Sequence, residues 1–146
     1  MNGPNERIVV DAGPLVAVFS RSDQHQDWAR NEFERLTPPL FTCEAVLCEA
    51  QLLVQERGGN PRAVLELIQR GILNVAFELE DEVERLLELQ RAYADVPMSL
   101  ADACLVRMTE LHGHSRVMTT GSDFRVYRRN RRQVIPLLAP PGIGRP

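Results

Sequence analysis

The sequence predicts an α/β fold in which a mostly parallel sheet is covered on both faces by helices. Three observations carry that expectation. Short apolar runs of strand length alternate with one or two amphipathic helical stretches along the whole chain. Neither an internal repeat nor a linker interrupts the 146 residues, which points to one domain over 1–138 and a flexible Pro/Gly-rich tail over 139–146. At 44% hydrophobic and 25% charged, the composition suffices to bury a core without disulfide or metal staples.

The elements follow in order. "RIVV" at 7–10 is β-branched and suits a buried strand. Pro14 reads as the first residue of the next helix, which makes Gly13 its cap and not Asp11. Trp28, Phe33 and Leu36 give 23–36 a helical apolar face, and "PPLFT" at 38–42 is a second strand. Val46, Leu47, Ala50, Leu53 and Val54 share one face of a helix that stops at Gly58-Gly59. Residues 60–71 form another helix with Pro61 at its start, and 72–79 a third strand. The stretch 80–96 is a helix whose acidic front is favoured by the helix dipole. The helix at 98–113 is closed by Gly113, and "RVMTT" at 116–120 is the fourth strand. "SDFRVYRR" at 122–129 is a short helix or turn, and 132–138 a fifth strand.

Several chemistries are excluded. The chain has no lysine, so all 17 basic residues are arginine; this removes Walker-type phosphate loops and Schiff-base chemistry. A net charge of −3 advertises no global affinity for nucleic acid. No apolar run reaches the length of a membrane span and the opening residues do not read as a signal peptide, so the expected compartment is the cytoplasm. Cys43, Cys48 and Cys104 lack metal or disulfide spacing and read as buried, reduced residues. His25, His112 and His114 do not share a helix face in a metal-binding spacing.

In parallel sheets, ligands bind at the carboxyl ends of the strands, so the residues that follow each strand matter most. Asp11 follows the first strand, as a turn residue or a functional acid. Glu49 borders the apolar stripe of its helix, as a solvated edge residue or a group aimed into a cleft. Ser99 and Asp102 fit a capping box, which leaves Asp102 at a helix start facing the same edge. Asp123 follows the fourth strand, where it either stabilises a helical first turn capped by Ser122 or joins the other acids. Together these carboxylates repel unless a cation lies between them, and an oxygen-only set without His or Cys suits Mg²⁺ or Mn²⁺. The block Arg125, Arg128, Arg129, Arg131 and Arg132 is either a solvated face or a set of phosphate contacts.

The segments "IVVDAGPLVA", "FTCEAVLCEAQLL", "MSLADACLVRM" and "VMTTGSDF" occur in the order and spacing of the PIN domain, and the chain resembles the small PIN proteins of bacterial VapC-type toxins from about Arg7 to about Leu138. The resemblance implies an α/β/α sandwich, a Mg²⁺- or Mn²⁺-dependent ribonuclease site, an RNA substrate, a small antitoxin partner and frequent dimerisation. Asp11, Glu49 and Asp102 match the family's first three acids, and Asp123 the second aspartate of its final "T-x-D-x-D-F" pair. The first aspartate of that pair is replaced by Gly121. Two functions are thus expected in competition: a metal-dependent endoribonuclease acting through the four acids, or a PIN-fold RNA- or protein-binding module that has lost chemistry at Gly121. A phosphotransfer domain is disfavoured by the missing lysine and by "DAGPLV", which lacks a second aspartate.

Overall fold

The structure, a computed structural model, describes residues 2–143. In chain order the elements are β1 (Arg7–Val10), α1 (Ala12–Val18), α2 (Gln26–Arg35), β2 (Leu40–Thr42), α3 (Glu44–Glu56), α4 (Arg62–Gln69), β3 (Leu73–Val75), α5 (Val83–Ala92), α6 (Leu100–Leu111), β4 (Ser115–Met118), β5 (Arg128–Arg129), β6 (Gln133–Val134) and β7 (Leu137–Leu138). The central sheet runs β3-β2-β1-β4-β7, with every neighbouring pair parallel. Helices flank it: α1 packs on α2 and α3, α3 on α4 and α6, and α6 on α5, β1 and β4. The α/β class and the parallel sheet are those the sequence predicts.

β1 is the middle strand because its residues suit burial on both faces. Ile8, Val9 and Val10 are each at most 1% exposed, as expected for a β-branched strand between two helical layers. The chain builds outward from β1 through β2 to β3, then crosses back to add β4 on the other side. The strand order therefore reverses between β1 and β4, and such a switch point opens a crevice at the carboxyl edge.

Five expectations need correction. Asp11, not Gly13, caps α1, which begins at Ala12, because the Asp11 carboxylate accepts the Ala12 N–H at 2.8 Å. The third strand is only Leu73–Val75, and the acidic front of the next helix is a 3-10 turn at Leu79–Glu82. The expected fifth strand is two pieces on either side of Ile135-Pro136: β6 pairs antiparallel with β5, while β7 joins the main sheet. Pro136 has no N–H for a continuous ladder. Cys48 is exposed, whereas Cys43 and Cys104 are buried; all three are free.

The β5–β6 hairpin is held to the body by a buried carboxylate. The Glu110 side chain is 2% exposed and takes a two-pronged contact from Arg85, Nε to Oε1 at 2.9 Å and Nη2 to Oε2 at 2.7 Å. Arg107 Nη1 adds a third at 3.2 Å, and the backbone N–H of Asn130 a fourth at 2.6 Å. Burial raises the Glu110 pKa, but the hydrogen bonds from Arg85 and Asn130 and the charge of Arg85 outweigh it, and the net pKa falls below the ordinary 4.5. Asn130 and Arg131 turn the hairpin with φ of 50° and 71°, a region Asn tolerates better than most residues.

Glu110→Ala should therefore cost about 3 kcal/mol in urea unfolding, the order found when one partner of a buried ion pair is removed. A loss below about 1 kcal/mol would mark the network as no stronger than a surface pair. Because the Glu110 pKa is depressed, its contribution is present above the ordinary carboxylate range and is lost as pH falls through the folded value. The difference between variant and wild type should accordingly shrink in acid.

Candidate functional site

The four acids named from the sequence come from four separate elements. Asp11 lies between β1 and α1, Glu49 in the second turn of α3, Asp102 in the first turn of α6, and Asp123 at the start of a 3-10 turn beyond β4. The pairing of β1 with β4 places Asp11 beside the end of β4, where the chain continues to Asp123, and the packing of α3 on α6 brings the middle two together.

Asp11 is the most constrained. Its backbone N–H donates to Met118 O at 2.9 Å, which ties it to the end of β4. One carboxylate oxygen accepts from Ala12 N, and the other accepts the Thr119 hydroxyl at 2.8 Å. Thr119 is fully buried and its Oγ1 also accepts the Gly121 N–H at 3.1 Å. Burial is the main cause that pushes the Asp11 carboxyl from its ordinary 3.8 up to about 6. The negative charges of Asp102 and Glu49 push the same way, against the Thr119 and Ala12 hydrogen bonds.

Asp102 is held by a fully buried phenol. Tyr127 Oη donates to Asp102 Oδ2 at 2.8 Å. The Tyr127 ring meets Phe124 and Tyr93 edge-on, at centroid separations of 5.4 and 5.1 Å. Tyr93 Oη in turn accepts the Arg128 N–H at 2.9 Å, which fixes the chain on either side of the phenol. Ser99 caps α6 as its sequence predicts, accepting the Asp102 N–H at 3.0 Å. The Asp102 pKa is raised by burial and by the charge of Asp123, against the bonds from Tyr127 and Ser99. Glu49 sits at the exposed rim, and its pKa is raised by desolvation there and then by Asp102. Asp123 is exposed, and the Ser122 side chain makes no cap bond to the turn.

The acids are thus electrostatic neighbours. Among the described residues, however, no three His, Cys, Asp or Glu side chains gather closely enough to enclose an ion. The oxygens of Asp11 and Asp102 are engaged by hydroxyl and amide donors. The donor chemistry itself fits a hard divalent cation: the set is all oxygen, and mutual charge and desolvation raise three of its carboxyls, a penalty that a cation relieves.

Most of the arginine block turns inward, to the protein itself. Arg128 Nη1 donates to the carbonyls of Arg125, Val126 and Tyr127. Arg129 Nη1 donates to Gly113 O at 2.8 Å, at the exit of α6. Arg125 Nε donates to Ile143 O, and Arg131 pairs with Glu88. Arg132 is exposed. Sequence reasoning did not single out Thr119 and Tyr127, which orient two of the acids. The doubled threonine after the fourth strand was a visible signal for the first. Nothing marked the second, since a tyrosine within an arginine run reads as surface.

The raised Asp11 pKa has a consequence for stability. A carboxyl whose folded pKa lies above its unfolded value stabilises the fold while protonated, and that contribution is lost as pH rises through the folded pKa. In a chelator, the wild-type protein should therefore lose up to about 3 kcal/mol from Asp11 between pH 4 and about 6. Asp11→Asn should not share this loss and should melt higher than wild type at pH 7. Thermal melts across that range check both; a variant less stable than wild type at pH 7 would contradict the assigned environment of Asp11.

Comparison with known proteins bears on the fold and the family. No curated protein matches the chain by sequence. The crystal structure of VapC20 from Mycobacterium tuberculosis, described as a sarcin-ricin loop cleaving toxin, superposes with a TM-score of 0.68 at 20% identity, covering 75% of this chain and 86% of that one. The family model of the PIN domain matches residues 8–130, a span that holds all four acids. The chain belongs to the PIN domain family.

Proposed function

We propose that the protein is a metal-dependent endoribonuclease and the toxin of a toxin–antitoxin pair. The observation that carries this reading is the convergence of four carboxylates from separate elements on the sheet's switch-point edge, where burial and then neighbouring negative charge raise the pKa of Asp11, Glu49 and Asp102 with no cation among the described residues paired to them. A fold gains no stability from such an arrangement, and functional sites are where strained titrations gather.

In this reading Asp11, Glu49 and Asp102 hold Mg²⁺ or Mn²⁺, with Asp123 assisting. When bound, such an ion supplies polarisation of an RNA phosphoryl oxygen and activation of water for in-line attack. The protein's own part is positioning. Thr119 fixes the rotamer of Asp11 and Tyr127 that of Asp102, so that both present oxygens to the same crevice. Membership of the PIN family and the similarity in fold to a VapC toxin support this reading. A small antitoxin partner, homodimerisation and a cytoplasmic location belong to the same proposal; among the described residues no helix is long and apolar enough to cross a membrane.

A second reading, the binding module without chemistry, is favoured by one observation. Gly121 has no conformational reason to be glycine: its φ is not positive, and a Cβ there would meet only Thr119 Oγ1, at 3.8 Å. The missing acid is a difference in chemistry, not one imposed by the backbone.

Structured ribosomal RNA is the first substrate to test. Wild type should cut it with Mn²⁺, and Asp11→Asn should reduce cutting by at least about a hundredfold while keeping the fold. If wild type is inert and Gly121→Asp cuts, the binding-module reading is right. Tyr127→Phe keeps the ring contacts and removes only the hydroxyl. It should weaken Mn²⁺ binding by about tenfold, the order seen for residues that orient a metal ligand, and unchanged affinity in calorimetry would remove Tyr127 from the site.

A further inference from the structure

The acids need a cationic or neutral surface beside them if a polyanion is to approach, and four of the five arginines at 125–132 bond to the protein's own carbonyls or to Glu88. A different surface meets the requirement. Ser22, Asp23, Gln24, His25, Arg57 and Thr120 line a cleft of about 590 Å³. Thr120 connects it to the acids, since it directly follows Thr119, the partner of Asp11. The Thr120 hydroxyl lies against the backbone of α1: a Cβ on Gly13 would fall 2.1 Å from Oγ1, so glycine there makes room for this wall. Among the described residues the Thr120 hydroxyl has no hydrogen-bond partner.

The cleft's carboxylate is already neutralised. Asp23 Oδ1 accepts the His25 N–H at 2.8 Å, and Oδ2 accepts Arg57 Nη1 at 2.7 Å. The Arg57 side chain remains 44% exposed, which leaves guanidinium donors for a ligand. The lining is otherwise hydroxyl, amide and imidazole, without the apolar floor typical of small-molecule pockets. By contrast, the groove lined by Val18, Phe33, Leu40 and Leu67 is largely apolar.

We propose that this cleft, and not the arginine run, holds the phosphodiester backbone of the RNA strand next to the acid cluster, with Arg57 and Thr120 facing a phosphate. The proposal rests on the nuclease reading of the acids and adds the path of the substrate. Arginine offers a planar fork to phosphate oxygens, and an open polar cleft suits an extended polyanion.

Binding can be measured separately from cutting. In the Asp11→Asn protein, a fluorescein-labelled ribosomal RNA hairpin is titrated by anisotropy without divalent ions. Adding Arg57→Ala should weaken binding by about tenfold and lower the slope of log K against log salt by about 0.7 to 1, as expected for one lost phosphate contact. Gln24→Glu, an isosteric change at an exposed position, should weaken it severalfold without disturbing the Asp23–Arg57 pair. Arg91→Ala, which removes an exposed cation from α5, should change it by less than about twofold. The proposal is overturned if the Arg57 and Gln24 variants bind like the Arg91 control, or if the Asp11→Asn parent binds no RNA. If wild type fails to cut any RNA while the predicted binding pattern holds, the nuclease reading falls and the cleft assignment stands.

Discussion

The structure is organised around the confinement of negative charge at the switch between β1 and β4. The Asp11 carboxylate is enclosed there between the Ala12 amide and the Thr119 hydroxyl, with Asp102 and Glu49 near enough to oppose its ionisation. A buried carboxylate with no cationic partner is expensive, and it persists only where the surrounding elements leave it no alternative. Here the Asp11 backbone N–H donates to the end of β4, while its carboxylate caps α1 and accepts a hydroxyl that is itself fully buried, so the side chain cannot turn to solvent without breaking both of its bonds.

The segment after β4 extends that constraint to the second acid. Phe124 and Tyr127 enter the core, Tyr127 reaches Asp102, and Tyr93 takes the Arg128 amide. The hairpin beyond is fastened by Glu110, which collects Arg85, Arg107 and the Asn130 amide. The arginines that look like a nucleic-acid patch in the sequence are, for the most part, the fasteners of this strap. Their donors close backbone carbonyls at the exit of α6 and around the 3-10 turn. The cation proposed to meet the substrate is instead Arg57, which is paired with Asp23 and 44% exposed in the cleft beside the loop before α2.

Much of this was legible in the sequence, for identifiable reasons. β1 was read with its observed bounds because Ile8, Val9 and Val10 form an unbroken β-branched run. The capping bond of Ser99 was legible because it is local to one turn. The failures arose where tertiary context overrode a local rule. Pro14 suggested a later start for α1, but the Asp11 carboxylate captures Ala12 first. The fifth strand was read as continuous because an apolar run does not reveal that its two halves join different sheets. The four acids were nameable, Asp11 and Asp123 because each follows a strand, Glu49 because it borders the apolar stripe of its helix and Asp102 because it completes a capping box, but the groups that hold them were not. A buried hydroxyl bond such as that of Tyr127 joins residues 25 apart, and no periodicity encodes it.

We propose that this charge is confined in order to receive a cation. That proposal is tested most directly by Mn²⁺ calorimetry at pH 6 in two buffers of different ionisation enthalpy, which counts the protons displaced as the ion binds. With the Asp11 pKa near 6, about half a proton or more should leave per ion bound at that pH, and the number should fall toward zero by pH 8. Saturable Mn²⁺ binding with that release is the predicted result. Absence of Mn²⁺ binding, or binding with no proton released at pH 6, would contradict the account.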